Sequence, residues 1–279
     1  MTDVAAASAS PERSSGDANR DGHDTGAAVI LEVDGLRIQA HRGEPVPTAA
    51  AGLRPGIIVA HAFPTAERGA RFAFLTFPEL AERIAHDTGC VALAIAFRGC
   101  GDSEGDASAA GWLADVRAGV EHLRADPTVG QVFVVGFGIG AAVAFFVAAS
   151  DGEIGGVGAL GCPADLDEWA SDPRRMLEHC RSLGVVRTPG FPADLGAWAR
   201  ELAGMRPIDL IARLGDRPAL IVHGVDDETT PAIDARALAD AAHAGGAEPE
   251  LRLLAGAGHD LRHDPRAIAI LLGWIARLA

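Results

Sequence analysis

A glycine-rich turn, GFGIGA at residues 136–141, joins a run of β-branched and aromatic residues to an Ala-rich run that favours a helix. A strand-to-helix turn of this kind needs small residues because the two backbones nearly touch, and its middle residue takes a strained, often positive φ. Two chemistries use such a turn. A nucleophile elbow, GxSxG, presents a hydroxyl from its middle residue, whereas a GxGxxG/A turn lets a pyrophosphate approach backbone N–H groups. The turn fits the second pattern and differs from the first only at Gly138.

Two later loops carry polar side chains, and each follows an apolar run that predicts a strand. Residues 223–231 read HGVDDETTP and include Asp226 and Asp227, and residues 256–260 read GAGHD and include His259. An open α/β sheet places its site in the loops that follow its strands, so we expect these side chains to lie near Gly138. The chain order of elbow, acid and histidine is that of a catalytic triad.

The elements that would position these loops alternate between strand and helix. Short apolar runs predict strands at residues 27–33, 36–40, 56–60, 90–97, 132–135, 154–160, 219–223 and 251–254. Helical spacing predicts helices at residues 72–86, 109–124, the stretch after the glycine turn, 232–244 and the stretch after Pro265. This alternation indicates an α/β fold with a mostly parallel central sheet flanked by crossover helices.

Two segments depart from the alternation. Residues 1 to about 26 hold scarcely a large apolar side chain and cannot offset the entropy of ordering, which predicts a disordered N-terminal tail. Residues from about 163 to 216 have helical character and no strand-like run, and they include Trp169, Phe191 and Trp198. We therefore expect a single domain over residues 27–279 with a small helical cap inserted at about 163–216.

Composition limits the partners. The net charge of −14 argues against binding nucleic acid or an anionic membrane through a basic surface, which favours a small-molecule substrate or ligand. No apolar stretch is long enough to span a membrane or to serve as a secretion signal.

The four cysteines lack CxxC pairing, so we expect reduced thiols and a cytoplasmic location. His259 and His263 lack a third ligand, and we expect neither a metal nor a cofactor. No motif sets the oligomeric state.

Four motifs, taken in order, resemble those of one family. They are HAFP at residues 61–64 (similar to the family's HGFP), RGCGDSEG at 98–105 (similar to RGxGxSxG), the glycine turn, and HGVDDETTP with its later GAGH. Together they resemble the α/β-hydrolase superfamily, of the serine aminopeptidase-like or dienelactone hydrolase-like kind. The resemblance covers about residues 27–279. It implies an α/β-hydrolase fold and action on a carboxylic ester or amide, as in an esterase or a serine aminopeptidase.

The resemblance also implies a role for each matching residue. Asp227 matches the acid that orients the histidine, with Asp226 as the fallback, and His259 matches the general base. The backbone N–H groups of Phe63 and Ile139 match the oxyanion hole, which stabilises developing negative charge. Gly138 stands at the nucleophile position, where the family has Ser, Cys or Asp. Since glycine has no side chain, a covalent acyl-enzyme cannot form there.

Glycine at the nucleophile position leaves four hypotheses open. His259 and Asp227 could activate a water lodged in the space that Ser would fill, or the protein could be a pseudohydrolase that binds an acyl ligand or a partner. Cys162 or Cys100, at the ends of predicted strands, could replace the nucleophile, although a free Cys is more often a small buried hydrophobe. GFGIGA could bind a dinucleotide, although that motif normally lies on a first strand with an acidic residue about 20 residues on.

Overall fold

The computed structural model describes residues 26–47 and 52–278, so the predicted N-terminal tail falls almost wholly outside the described residues. Within these ranges the chain forms one eight-stranded sheet in the order β1-β2-β4-β3-β5-β6-β7-β8. The strands are β1 (Ala27–Val33), β2 (Leu36–Gly43), β3 (Arg54–Ala60), β4 (Val91–Ile95), β5 (Val129–Phe137), β6 (Val157–Leu160), β7 (Ala219–Gly224) and β8 (Glu250–Leu254). Strand β2 is antiparallel to β1 and β4, and every other neighbouring pair is parallel. The predicted mostly parallel α/β sheet is confirmed.

Helices cover both faces of the sheet. Their bounds are α1 (Gly69–Phe72), α2 (Phe77–Thr88), α3 (Ala109–Arg124), α4 (Ile139–Ser150), α5 (Asp167–Ser171), α6 (Pro173–Leu183), α7 (Leu195–Ala203), α8 (Ala232–Ala244) and α9 (Pro265–Ile275). The helix predicted at residues 72–86 begins at Phe77 instead. Pro78 lies in the first turn, where its missing N–H costs nothing, and the preceding residues form the separate short turn of α1. No helix in this part of the chain is both long and apolar enough to cross a membrane.

The central strands are buried on both sides, which explains why they read as continuous apolar runs. In β5, Val132 and Val134 pack into the core on the face that holds α3, α4 and α8. Phe133 and Val135 point to the opposite core, which holds α2 and α9. The strand that leads to the glycine turn is therefore fixed from both faces.

A buried ion pair fixes the loop at residues 98–105. The Arg98 guanidinium donates to Asp115 Oδ1 at 2.8 Å from Nη2 and 3.0 Å from Nε, and its Nη2 also donates to Asp34 Oδ2 at 3.1 Å. Asp115 is wholly buried, and burial raises the pKa of its carboxyl despite the arginine. In the same loop the Ser103 hydroxyl donates to the carbonyl of Ala96 at 2.7 Å. These contacts give the RGCGDSEG motif a structural role.

Between β6 and β7 the chain forms α5, α6, α7 and two short 3₁₀ turns, Pro207–Asp209 and Ile211–Leu214. Trp198 Nε1 donates to the carbonyl of Ala107 at 3.0 Å. The backbone N–H groups of Arg187 and Thr188 donate to Asp106 Oδ1 at 2.6 and 3.0 Å. This segment is thus attached to the loop that precedes α3.

Candidate active site

The glycine turn brings β5 against the start of α4, with Gly138 between them at φ 52° and ψ −119°. A Cβ atom at Gly136 would lie 2.2 Å from the carbonyl carbon of Gly140, and one at Gly140 would lie 2.5 Å from the carbonyl oxygen of Ala60. Both distances are far below van der Waals contact. The two outer glycines are therefore required by the close approach of the backbones.

Gly138 differs from its neighbours because it has room. A Cβ atom there would lie 3.4 Å from Ala62 Cβ and 3.7 Å from His259 Nε2, which are ordinary contact distances. Only its positive φ disfavours a side chain, at a cost of about 1 kcal/mol. Glycine therefore relaxes the turn and leaves an open space above its Cα atom.

Asp227 lies in the loop after β7 and binds both backbone and histidine donors. Its Oδ1 accepts hydrogen bonds from the N–H groups of Thr229 at 2.9 Å and Thr230 at 2.8 Å, and its Oδ2 accepts from His259 Nδ1 at 2.9 Å. Burial on its own would raise the pKa of Asp227. The nearby His223 ring and the hydrogen bonds from His259 and Thr230 outweigh burial and hold the pKa well below its usual value. Asp227 is therefore a carboxylate at neutral pH.

His259 is oriented by this carboxylate. Because Nδ1–H donates to Asp227, Nε2 carries the lone pair of the neutral ring. No partner in residues 26–47 or 52–278 hydrogen-bonds Nε2, which faces the space over Gly138. The preceding residue in the acidic loop, Asp226, is exposed, and the carboxylate that pairs with His259 is that of Asp227. The structure thus brings together Gly138, Asp227 and His259, as expected from the sequence, and leaves Asp226 aside.

Two backbone N–H groups beside this space have no acceptor among the described residues. They belong to Phe63, in the loop after β3, and to Ile139, the first residue of α4. Both residues line a cavity together with Gly138 and His259. The first N–H groups of a helix lack intrahelical partners and lie at the positive end of its dipole. The pair can therefore donate to an oxygen that gains negative charge.

His61 holds the peptide that carries one of these donors. The His61 Nδ1–H donates to the carbonyl of Ala62 at 2.6 Å, and Nε2 accepts from the N–H of Phe97 at 3.0 Å. A peptide unit is planar and trans, so fixing the Ala62 carbonyl also fixes the Phe63 N–H at its other end. Burial lowers the pKa of His61 to about 4, so the ring is neutral at pH 7.

The cysteines considered as substitute nucleophiles are buried. Cys162 is wholly inaccessible and Cys100 nearly so. Burial raises the pKa of Cys100 to about 12 and that of Cys162 well above its usual value. Neither residue lines the two cavities that meet at Gly138. A reactive cysteine needs a lowered pKa and partial exposure, so the structure does not favour either thiol as a nucleophile.

Two cavities, of about 190 and 610 Å³, meet at Gly138 and His259. Phe72, Phe77, Phe137, Leu160 and Arg262 help to line the smaller cavity. The larger cavity lies against the helical segment between β6 and β7, with Trp169, Met176, His179, Asp165 and Glu168 in its lining. The site can therefore hold a small molecule with one group on each side of the histidine.

Sequence reasoning assigned no role to His223. It is fully buried at the end of β7, and its Nε2 donates to the carbonyl of Thr230 at 2.8 Å and lies 3.4 Å from Asp227 Oδ2. It supports the acidic loop from below. A histidine in the last positions of an apolar strand, four residues before the acid, was the signal available in the sequence.

Residues 57–270 match the model of the alpha/beta hydrolase family, and the chain belongs to this family. Three solved structures show the same fold. Est1E from Butyrivibrio proteoclasticus is 17% identical with a TM-score of 0.64, over 90% of this chain and 96% of that one. The alpha/beta hydrolase GrgF from Penicillium sp. sh18 is 17% identical with a TM-score of 0.67, over 90% and 98%. The Pyrococcus furiosus esterase Pf2001 is 17% identical with a TM-score of 0.62, over 91% and 90%. No curated protein sequence matches the chain.

Proposed function

We propose that this protein hydrolyses small carboxylic esters or amides by activating water, with His259 as the general base and Asp227 as its orienting acid. One observation carries the proposal. The Nε2 atom of His259, on the side of the ring away from Asp227, faces an open space over Gly138, the position from which a serine hydroxyl would otherwise attack. The fold is that of the hydrolase family, one structure with this fold is the Pyrococcus furiosus esterase Pf2001, and another, Est1E, has been solved with ferulic acid bound.

The reaction needs one water molecule in that space. His259 Nε2 takes a proton from the water as its oxygen attacks the carbonyl carbon, and the carbonyl oxygen gains negative charge between the N–H groups of Phe63 and Ile139. The imidazolium, stabilised by Asp227, then gives its proton to the leaving alcohol or amine. General-base catalysis contributes about 10²- to 10⁴-fold. Triad enzymes without their nucleophile still exceed the uncatalysed rate by about 10³- to 10⁴-fold.

The helical segment at residues 163–216 acts in this proposal as a cap over the larger cavity. Trp169, from α5, packs edge-on against Phe63 with ring centroids 4.8 Å apart. The segment thereby borders the cavity beside one of the two N–H donors. It would close over the leaving group and limit the substrate to a small molecule. We also expect residues 27–279 to act as one domain, in the cytoplasm.

A second candidate is a pseudohydrolase that binds an ester or acyl ligand without turning it over. The absence of any side chain at Gly138 favours it, because the family's usual nucleophile is missing.

Dinucleotide binding through GFGIGA has less support. Gly136 and Gly140 are already required for packing of β5, α4 and β3, so the glycines need no pyrophosphate to explain them.

The test is hydrolysis of p-nitrophenyl acetate, butyrate and octanoate by the natural protein, His259→Ala and the control His86→Ala, which changes an exposed histidine on α2. We expect turnover by the natural protein and by His86→Ala, with a loss of at least 10²-fold in His259→Ala. Equal rates in all three proteins would contradict the hydrolase proposal. Thermal stabilisation by a non-hydrolysable phosphonate ester, without turnover, would then support the pseudohydrolase.

A further inference from the structure

We propose that the same site catalyses a second reaction, the removal of a proton from the carbon next to a carbonyl group in small aryl-substituted ketones and thioesters. The reaction needs no water and no nucleophile. It goes beyond the proposed hydrolysis and has its own readout, since carbon-bound hydrogen is exchanged and no bond to a leaving group breaks.

The base can reach a substrate carbon directly because position 138 is glycine. In a site with serine at this position, the hydroxyl would lie between the histidine and the substrate and would hydrogen-bond the Nε2 lone pair. Here a Cβ atom on Gly138 would already be 3.7 Å from His259 Nε2, and no side chain occupies that gap. A C–H group of the substrate can enter the same space and meet the lone pair.

The product of proton removal is an enolate, and the site has two donors for its oxygen. The N–H groups of Phe63 and Ile139 have no acceptor in the described ranges and lie beside Gly138. A general base next to an oxyanion hole is the arrangement by which ketosteroid isomerase removes such a proton. Asp227, wholly anionic at neutral pH, stabilises the imidazolium that forms.

The cavity of about 190 Å³ selects the substrate class. Phe77, Phe137 and Leu160 line it together with Gly138 and His259. An apolar protein cavity of roughly 150 Å³ is enough to hold benzene, so this one accommodates a phenyl ring. An aryl group on the acidic carbon would occupy this cavity and place the C–H bond at His259.

The step balances without a co-reactant. The proton passes from carbon to His259 Nε2, the C–H electron pair becomes the C=C bond of the enolate, and the carbonyl π pair moves to the oxygen. Return of a proton from Nε2 to the carbon regenerates the carbonyl compound. In D₂O the imidazole exchanges its proton with solvent, so the returned hydrogen is deuterium.

The experiment follows deuterium incorporation into phenylacetone, a ketone that cannot be hydrolysed, by ¹H NMR in D₂O, with S-ethyl phenylthioacetate as the second probe. We expect the natural protein to exchange the benzylic protons at least about 10²-fold faster than His259→Ala. Gly138→Ser is expected to lose the exchange because its hydroxyl takes the Nε2 lone pair, while its hydrolysis of esters rises. Gly138→Ala, which fills the gap without a hydroxyl, should lose exchange and gain no hydrolysis.

Exchange no faster with the natural protein than with His259→Ala, for both probes, would overturn this proposal. Exchange that persists unchanged in Gly138→Ala and Gly138→Ser would also overturn it, because the open space would then be irrelevant. Circular dichroism and thermal melting of each variant identify any that fail to fold. Phenylacetone has no leaving group, so its exchange tests this proposal independently of ester hydrolysis.

Discussion

The Nε2 atom of His259 lies 3.7 Å from the point that a Cβ atom on Gly138 would occupy. That separation lets a hydroxyl on such a Cβ reach the histidine within hydrogen-bonding distance. The acid, the base and the two N–H donors are therefore arranged around a nucleophile position that holds no side chain.

Gly138→Ser should restore a nucleophile. The side chain fits sterically, so we expect ester hydrolysis to rise by about 10²-fold or more, with burst kinetics of an acyl-enzyme. The positive φ should lower the free energy of unfolding by about 1 kcal/mol, measured by urea denaturation. Gly138→Ala is the matched control, with the same strain and no hydroxyl. Equal hydrolysis by the two variants would show that the added hydroxyl is not the nucleophile.

Asp227→Asn should uncouple the base from its orienting acid. An amide in place of the carboxylate cannot both accept from His259 Nδ1–H and stabilise the imidazolium, so the tautomer and the charge balance change. We expect ester hydrolysis to fall to the level of His259→Ala. A double variant should then be no slower than either single variant. Additive losses in the double variant would mean that the two residues act independently.

The same carboxylate should contribute to acid stability. Its pKa in the folded protein lies below the unfolded value of about 3.9, so the folded state binds fewer protons there. The contribution is present above pH 4 and is lost as the pH falls below it. We expect Asp227→Asn to flatten the dependence of the free energy of unfolding on pH between about pH 4 and 2, measured by urea denaturation. An unchanged slope would contradict this.

His61 should make stability pH-dependent in a higher range. Its pKa falls from about 6.5 in the unfolded chain to about 4 in the fold, so the unfolded state binds more protons between these values. The contribution of His61 to the free energy of unfolding should therefore be fully present above pH 6.5 and should decrease by about 3 kcal/mol as the pH falls to 4. His61→Asn should remove this slope, whereas His86→Asn, at an exposed position, should keep it. Identical pH profiles for His61→Asn and the natural protein would refute the assignment.

The Arg98–Asp115 pair should be important for folding. Arg98→Met leaves the buried carboxylate of Asp115 without its partner, and we expect a loss of about 3–5 kcal/mol in the free energy of unfolding. Arg83→Met, which removes the exposed pair with Asp87, should cost less than about 1 kcal/mol. Urea denaturation at pH 7 compares the two. Similar small losses in both variants would mean that burial of the first pair has no energetic consequence.

Much of the fold could be predicted because local signals agree with it. Ser108 accepts from the N–H of Gly111 and begins α3 where the sequence predicts, and Asp264 caps α9 at the residue before Pro265. The turn at Asp34 and Gly35, with φ 54° and 76°, joins the two strands predicted at residues 27–33 and 36–40. Strand order could not be predicted, since β4 lies between β2 and β3 through contacts that are distant in the chain.

The site was partly predictable for a related reason. Asp227 and His259 follow apolar strands, and topology alone brings such loops together. The choice between Asp226 and Asp227 depends on which side chain turns toward His259. Because the two residues are adjacent and both acidic, their positions in the sequence do not show this. The roles of His223 and His61 depend on their burial and on the direction of their hydrogen bonds. The sequence contains both residues but does not show that His223 bonds Thr230 or that His61 bonds the Ala62 carbonyl.

The central claim is that His259 activates water directly, with no covalent intermediate. Its most direct test is the mass of the intact protein, recorded by mass spectrometry during turnover of p-nitrophenyl butyrate, alongside the rate of nitrophenol release. We expect linear release without a burst, an unmodified protein mass and a rate that depends on His259. A mass increase of one butyryl group that disappears as turnover ends would show a covalent intermediate on some side chain and would contradict the account.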